Sequence, residues 1–289
     1  MNEAIRKPRC ALTGAHGYLG GLIARKLITS GWDVLPLVRT PKPGEIAFTL
    51  GEAVAADALS GCDALLHCAY DFGQVAWRDI VRVNVDGSQR LFMAAAAAKV
   101  PSTLLISTIS AFEGCKSKSG RAKLLIEAHA REIGACVLRP GLVYGASPGA
   151  MFGRLVQQVR ASSLVPVPGD GRQLQYTVHE DDLTEAIVRA LTALPAPSTP
   201  VTAAHETPIS FSDIIRAIGA RLGRRVTLLP TPWQAMWLAL VAAENVGLRL
   251  RLRSDSLISL MNQDPSPNLN AEAALGVRCR PFDLASVSL

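Results

Sequence analysis

Thr13-Gly14-Ala15-His16-Gly17-Tyr18-Leu19-Gly20 decides the fold of this chain. It follows directly on the apolar run 10–13 and opens a helical pattern over 18–29, with glycines spaced G-x-x-G-x-x-G. Glycine permits the tight turn and lets backbone approach a bound group, while the free N–H groups and positive end of a helix favour an anion. Strand, glycine loop and helix in that order predict a pyrophosphate cradle. Gly14, Gly17, Tyr18, Leu19 and Gly20 would then hold a dinucleotide.

Outward from this loop, short apolar runs at 34–38, 64–69, 103–107 and 135–138 alternate with helical patterns at 80–98 and 120–132. Such alternation is the mark of β-α-β units, so the expected class is α/β, a doubly wound parallel Rossmann sheet. After Gly145 the chain is broken by Pro148, Pro166, Pro168, Gly169 and Gly171, and is expected to run as loops until a helix begins at Asp181 or Asp182. A strand over 201–204 and helices over 210–222 and 233–248 follow. Residues 1–146 and 172–206 are assigned to the dinucleotide-binding domain. Residues 147–171 and 207–289 form a small C-terminal substrate-binding lid over the carboxyl ends of the strands. Met151, Phe152, Trp233, Met236 and Trp237 would give its pocket an apolar lining.

The composition agrees with a globular protein: 289 residues, 49% hydrophobic, 19% charged, net charge +6. The basic excess is spread along the chain, densest at Arg249, Arg251 and Arg253, and no nucleic-acid-binding motif accompanies it. Six cysteines without C-x-x-C spacing read as reduced thiols, and the N-terminus lacks the apolar stretch of a secretory signal, so a cytoplasmic location is expected. The most hydrophobic stretch, 232–243, is too short for a bilayer that needs roughly 20 residues, so no membrane span is expected. Glu180, Asp181 and Asp182 precede a helix, where acidic groups suit the dipole, and the five histidines show no ligand-pair spacing; no metal site is assigned.

The second strand ends at Val38-Arg39-Thr40, where an acidic residue would accept the ribose hydroxyls of NAD. Arg39 instead can pair with a 2′-phosphate, which favours NADP over NAD. A solvated surface arginine is the plainer alternative, and Lys42 could share either role.

With these residues in view the chain resembles the short-chain dehydrogenase/reductase superfamily, in the extended or atypical branch that includes the NAD-dependent epimerases and dehydratases. The likeness is carried by the glycine loop, His67-Cys68-Ala69, Asn84-Val85-Asp86-Gly87-Ser88, Ser107-Thr108, Arg139-Pro140-Gly141-Leu142-Val143-Tyr144-Gly145, Gly169-Asp170-Gly171 and Val178-His179-Glu180-Asp181-Asp182-Leu183. The resemblance implies that Thr108 hydrogen-bonds the substrate oxygen and Lys123 holds the nicotinamide ribose. It implies that Ala69, Asn84 and Pro140 line the cofactor, and that Tyr144 is structural or at the pocket edge. An acidic residue beside the adenine would be Asp57 or Glu52. Relatives often pair through the helices at 80–98 and 120–132, so a homodimer is an expectation. The short interval between Thr108 and Ser119 and the small lid weigh against a nucleotide-sugar substrate.

The resemblance also places Ser119 where the family has its catalytic tyrosine, four residues before Lys123. A phenol titrates near 10 and exchanges a proton with a carbonyl or alcohol as hydride moves; an aliphatic hydroxyl is a far weaker acid on a shorter arm. The leading expectation is an NAD(P)-dependent oxidoreductase acting on the carbonyl or hydroxyl of a small metabolite. Its catalytic set would be Thr108, Ser119 and Lys123, with the proton coming from Tyr70, Tyr144, Tyr176, His179 or a water. Tyr70, Tyr144 and Tyr176 are also candidate substrate contacts. The alternatives are a catalytically impaired cofactor-binding or sensing protein, a redox-neutral epimerase, isomerase or cyclase, or an engineered serine.

Overall fold

The computed structural model describes residues 6–54, 56–146, 149–193, 195–248, 252–285 and 287–289. The chain begins β1 (Arg9–Thr13), α1 (Tyr18–Thr29), β2 (Asp33–Val38), β3 (Ile46–Ala47) and β4 (Ala64–His67). A short α2 (Trp77–Ile80) passes through a π-helical turn, Val81–Val85, into α3 (Asp86–Ala97), followed by β5 (Ser102–Ile106), α4 (Lys118–Glu132) and β6 (Cys136–Pro140). Then come β7 (Leu142–Tyr144), α5 (Ala150–Ala161), β8 (Leu164–Pro168), β9 (Leu174–Gln175), β10 (Thr177–His179), α6 (Glu180–Thr192) and β11 (Val201–Ala203). The C-terminal third adds β12 (Ile209–Ser210), α7 (Phe211–Arg221), β13 (Thr227–Thr231), α8 (Trp233–Asn245), α9 (Ser254–Met261) and α10 (Ala271–Leu275).

Seven of these strands form one parallel sheet in the order β11-β6-β5-β4-β1-β2-β3. Its strands read as continuous apolar runs because helices cover both faces, and successive side chains feed opposite cores. Cys10, Leu12, Leu66, Leu104 and Leu138 pack on one face with Ile23 and Leu27 of α1 and Leu183 and Ile187 of α6. Ala11, Leu65, Leu105 and Val137 pack on the other with Leu91 and Phe92 of α3 and Ala122 and Ile126 of α4. Each fully buried leucine contributes about 1.5–3 kcal/mol. From β1 the chain first builds outward through β2 and β3, then reverses to β4 on the opposite side. The crevice at this switch is where open α/β sheets place a ligand.

A third core lies beyond the sheet, where Phe152, Leu155 and Val159 of α5 meet Val165 and Val167 of β8, Ile214 and Ile218 of α7, and Leu257 and Leu260 of α9. Its helix α5 corrects the expectation of loops after Gly145. Pro166 and Pro168 fall not in a loop but in β8, which belongs to a two-stranded pair where a missing donor is tolerated. The apolar positions 152, 155, 156 and 159 recur at helical spacing and bury one face of α5. A second correction concerns α8: of its residues only Leu240 is buried, while Met236 and Trp237 pack on the outside of this third core. Arg249 and Arg251 lie outside the described residues, and Arg253 is paired with Glu244 at 2.9 Å.

Candidate functional site

A cavity of about 900 Å³ opens at the carboxyl ends of β1, β2, β4 and β5, and the glycine loop forms one wall. Gly14 sits at φ +73°, left-handed backbone that favours glycine, and a Cβ on Gly20 would stand 2.0 Å from the Gly14 carbonyl oxygen. The loop closes with Gly17 N–H donating to Gly14 O at 2.8 Å, and no side chain caps the start of α1. Gly17, Tyr18, Leu19 and Gly20 all face the cavity, so the positive end of α1 points into it. The Tyr18 hydroxyl lies 3.4 Å from Glu180, and burial together with that carboxylate pushes its phenol up.

Beneath the loop a buried relay fixes the geometry. Ser88 Oγ donates to the Asn84 carbonyl at 2.6 Å, so it can only accept from His67 Nε2 at 2.8 Å. His67 Nδ1 then accepts from Thr13 Oγ1 at 2.8 Å, and Thr13 Oγ1 in turn accepts the N–H groups of Cys68 and Ala69, each at 3.1 Å. The imidazole is neutral: burial, and secondarily the Lys123 charge, push its pKa down to about 3. The relay pins the turn after β4 against the glycine loop, where a Cβ on Gly14 would already meet Ala69 backbone at 3.2 Å.

Arg39 and Thr40 lie at the rim, with Phe48, Thr49 and Leu50 beside them. Arg39 is exposed and makes no hydrogen bond or ion pair with the described residues. Lys42 does not extend the cationic rim; its backbone N–H donates to Glu45, whose carboxylate also holds His16 at 2.8 Å. Glu52 and Asp57 are exposed and absent from the cavity wall, so the neighbours of this end are apolar and not acidic.

At the opposite end the cavity is bounded by Ser107, Thr108, Ser119 and Lys123. Lys123 is buried, donates from Nζ to the Ile106 carbonyl at 2.7 Å, and lies 5.1 Å from the centre of the Tyr70 ring. Burial lowers its pKa to about 8, against smaller opposing effects of Cys68 and Glu127. Ser107 donates to Glu127 at 2.5 Å, and Glu127 receives Arg139 on both oxygens. This buried pair ties β5, α4 and β6 together behind the site. Ser119 lies in the first turn of α4, whose N-terminus is capped twice: Ser117 Oγ accepts from Gly120 N–H, and Asp255 of α9 accepts from Lys118 N–H at 2.6 Å and Ser119 N–H at 2.9 Å.

Several expectations need correcting. Asn84 does not line the cavity; its amide brackets the Asp71 backbone, accepting from the N–H at 2.7 Å and donating to the carbonyl at 3.1 Å, and so shapes the cavity loop from behind. Pro140 is buried at the end of β6, and its carbonyl accepts from Ile109 N–H. Tyr144 is fully buried and donates its hydroxyl to the Pro281 carbonyl at 2.8 Å, which removes it from the pocket and from any proton relay. His179 meets Tyr144 edge-on and caps α6, with Nδ1 accepting from Asp181 N–H. Phe152, Trp233, Met236 and Trp237 are likewise outside the cavity wall. Tyr70, Tyr176 and Met151 do line it. So do residues with no sequence signal: Gln175, and Ser256, Ser259, Leu260 and Gln263 on or just beyond α9. Gln263 donates to Gln175 at 3.3 Å, joining two parts of the wall.

A family model described as the NAD dependent epimerase/dehydratase family matches residues 10–201. The chain belongs to that family, within the extended short-chain dehydrogenase/reductases. An uncharacterized protein of Mycobacterium tuberculosis is 28% identical over 78% of this chain, which spans only 24% of that protein's length. Two further relatives are reductases. A 4-hydroxy-2-methyl-3-oxo-4-farnesyl-3,4-dihydroquinoline-1-oxide ketoreductase of Stigmatella aurantiaca is 24% identical over 63% of this chain and 64% of its own. A ceramide reductase of Caulobacter vibrioides is 25% identical over 77% and 73%. Among solved structures, MoeE5 in complex with UDP-glucuronic acid and NAD superposes with a TM-score of 0.74, covering 95% of this chain and 94% of that one at 20% identity, which is a likeness of fold. Among the described residues no helix is long and apolar enough to cross a membrane.

Proposed function

We propose that this chain is an NADP-dependent reductase that interconverts the carbonyl and hydroxyl of a small, uncharged, largely apolar molecule. The observation that carries the reading is a single cavity with a glycine cradle and an unpaired arginine at one end and Thr108 and Lys123 at the other. The residues fit a dinucleotide: Gly14 and Gly20 occupy positions where a side chain would strike backbone, and the uncapped start of α1 suits a pyrophosphate. Gly14, Gly17, Tyr18, Leu19, Gly20 and Ala69 would hold it, with Lys123 at the ribose and Arg39 at the 2′-phosphate. When bound, the nicotinamide supplies or accepts hydride.

The chain's own residues account for the other steps. Thr108 presents a hydroxyl to the reacting oxygen, and Lys123 places a positive charge beside it in surroundings where water screens poorly. Ile109, Leu142, Val143, Met151 and Leu260 offer apolar surface, while Gln175, Tyr176, Ser256, Ser259 and Gln263 offer neutral hydrogen-bonding groups. The names of the two reductase relatives, one bearing a farnesyl chain and one a ceramide, support an apolar substrate body.

The test is titration of the protein with NADPH and with NADH, followed by NADPH oxidation on a panel of apolar ketones and aldehydes. Saturable NADPH binding at micromolar concentration and turnover of at least one class are expected. No binding ends the reading. Binding without turnover of any carbonyl favours the sensing protein that the serine at 119 also allows.

A further inference from the structure

Position 119 carries no phenol, yet an aromatic ring does stand beside Lys123. Residues four apart on a helix are neighbours on one face, so a side chain at 119 would project toward Lys123. The ring found there comes from the turn after β4: Tyr70 lies with its centroid 5.1 Å from Lys123 Nζ. Asp255, which accepts from Ser119 N–H at 2.9 Å, is also close enough to act on the Tyr70 phenol by its charge. Tyr70 therefore reaches across the space between Lys123 and the start of α4, which a larger residue at 119 would need.

Tyr70 is held there firmly. Its ring packs on Phe72 at 4.7 Å, and the following residue, Asp71, is clamped through its backbone by Asn84. Its hydroxyl is given no partner among the described residues, while both other phenols near the glycine loop and third core are committed, Tyr18 toward Glu180 and Tyr144 to Pro281. Tyr176, the fourth tyrosine, also lines the cavity.

Resting on the reductase reading, we propose that Tyr70 supplies the proton in carbonyl reduction, its phenol taking the role for which Ser119 has no group. As the carbonyl carbon gains hydride, the C=O π pair moves to oxygen. Tyr70 Oη gives its proton to that oxygen, forming the alcohol O–H and leaving a phenolate. The Lys123 ammonium stands over the ring, 5.1 Å from its centre, and water entering the open cavity returns the proton. Burial, with Asp255 and Asp71, pushes the phenol up from its ordinary value and makes it a weaker acid, but the alkoxide that forms on hydride transfer is a stronger base than the phenolate and draws the proton from it.

The experiment compares Tyr70→Phe, Tyr176→Phe, Ser119→Tyr and the Tyr70→Phe/Ser119→Tyr double variant. In Tyr70→Phe, kcat is expected to fall by about 10²–10⁴ with NADPH affinity unchanged, the range for losing a positioned acid. Tyr176→Phe, which removes a hydroxyl from the substrate wall, should act mainly on KM and lower kcat far less than Tyr70→Phe does. Ser119→Tyr alone should bring no gain, because Tyr70 fills the space, whereas the double variant recovers rate over Tyr70→Phe. A second readout needs no turnover: alkaline ultraviolet difference titration of the ligand-free protein should lose one late-titrating phenol in Tyr70→Phe, and that phenol should titrate earlier in Asp255→Asn. An active wild type with an equally active Tyr70→Phe overturns this assignment and leaves the reductase reading intact. Absence of NADPH binding or of turnover in the wild type overturns both.

Discussion

Replacing Arg39 by alanine tests the proposed discrimination between the two nicotinamide cofactors. The guanidinium stands at the cavity rim, exposed and unpaired by the described residues, so its removal leaves no buried partner stranded and should not disturb folding. A hydrogen bond to a charged group is worth about 1.5–3 kcal/mol, and solvent at the rim reduces that to about 1–2 kcal/mol. The corresponding loss is about 5–30-fold in NADPH affinity. NADH, which has no 2′-phosphate, should bind Arg39→Ala and the parent alike. Fluorescence titrations of both nucleotides at low salt and again near 1 M salt measure the effect, and the NADPH preference should shrink as the screening length falls from about 10 Å to about 3 Å. Equal weakening of both nucleotides, or of neither, would refute the assignment of Arg39 to the 2′-phosphate.

Three further outcomes follow from the geometry. Gly20→Ala puts a Cβ 2.0 Å from the Gly14 oxygen and should abolish micromolar NADPH binding, whereas Gly21→Ala, whose nearest neighbour is at 3.7 Å, should bind normally. His67 is held at about 3 when folded against about 6.5 unfolded, so its contribution is complete above pH 6.5 and is lost as pH falls toward 3. Urea unfolding should show about 2 kcal/mol lost from this group between pH 7 and pH 5, a slope that His67→Gln removes. Glu127→Gln leaves the Arg139 charge without its buried counter-charge, although the amide oxygen can still accept from Ser107, and should cost about 3 kcal/mol in the same assay.

The sheet was legible because its strands are short apolar runs cut out by glycine and helix signals, and the cradle because glycine spacing reports backbone directly. Burial of a polar group leaves no such trace. Tyr144 and Asn84 sit within motifs that read as pocket residues, yet one hydroxyl is satisfied by Pro281 and one amide by Asp71. Both partners are fixed by packing and not by neighbouring sequence. The lining of the cavity on the C-terminal side is hidden for a related reason. Hydrophobicity alone made α8 the candidate wall, whereas α9, with its mix of Ser256, Ser259 and Leu260, faces the cavity. Asp255 could not have been read at all, since 136 positions separate it from Ser119 in the chain.

That carboxylate has a consequence for charge selection. A helix N-terminus facing a cavity ordinarily attracts anions, and α4 begins beside Ser119 at the reaction end of the site. Here Asp255 already takes the N–H groups of Lys118 and Ser119, and Ser117 takes that of Gly120. A phosphate or carboxylate brought to this end finds these backbone donors already taken, and Lys123 is the cation left in the wall. The two helix ends thus differ: α1 keeps its N-terminus without a side-chain cap at the glycine loop, while α4 has its first donors engaged, two of them by a residue from α9.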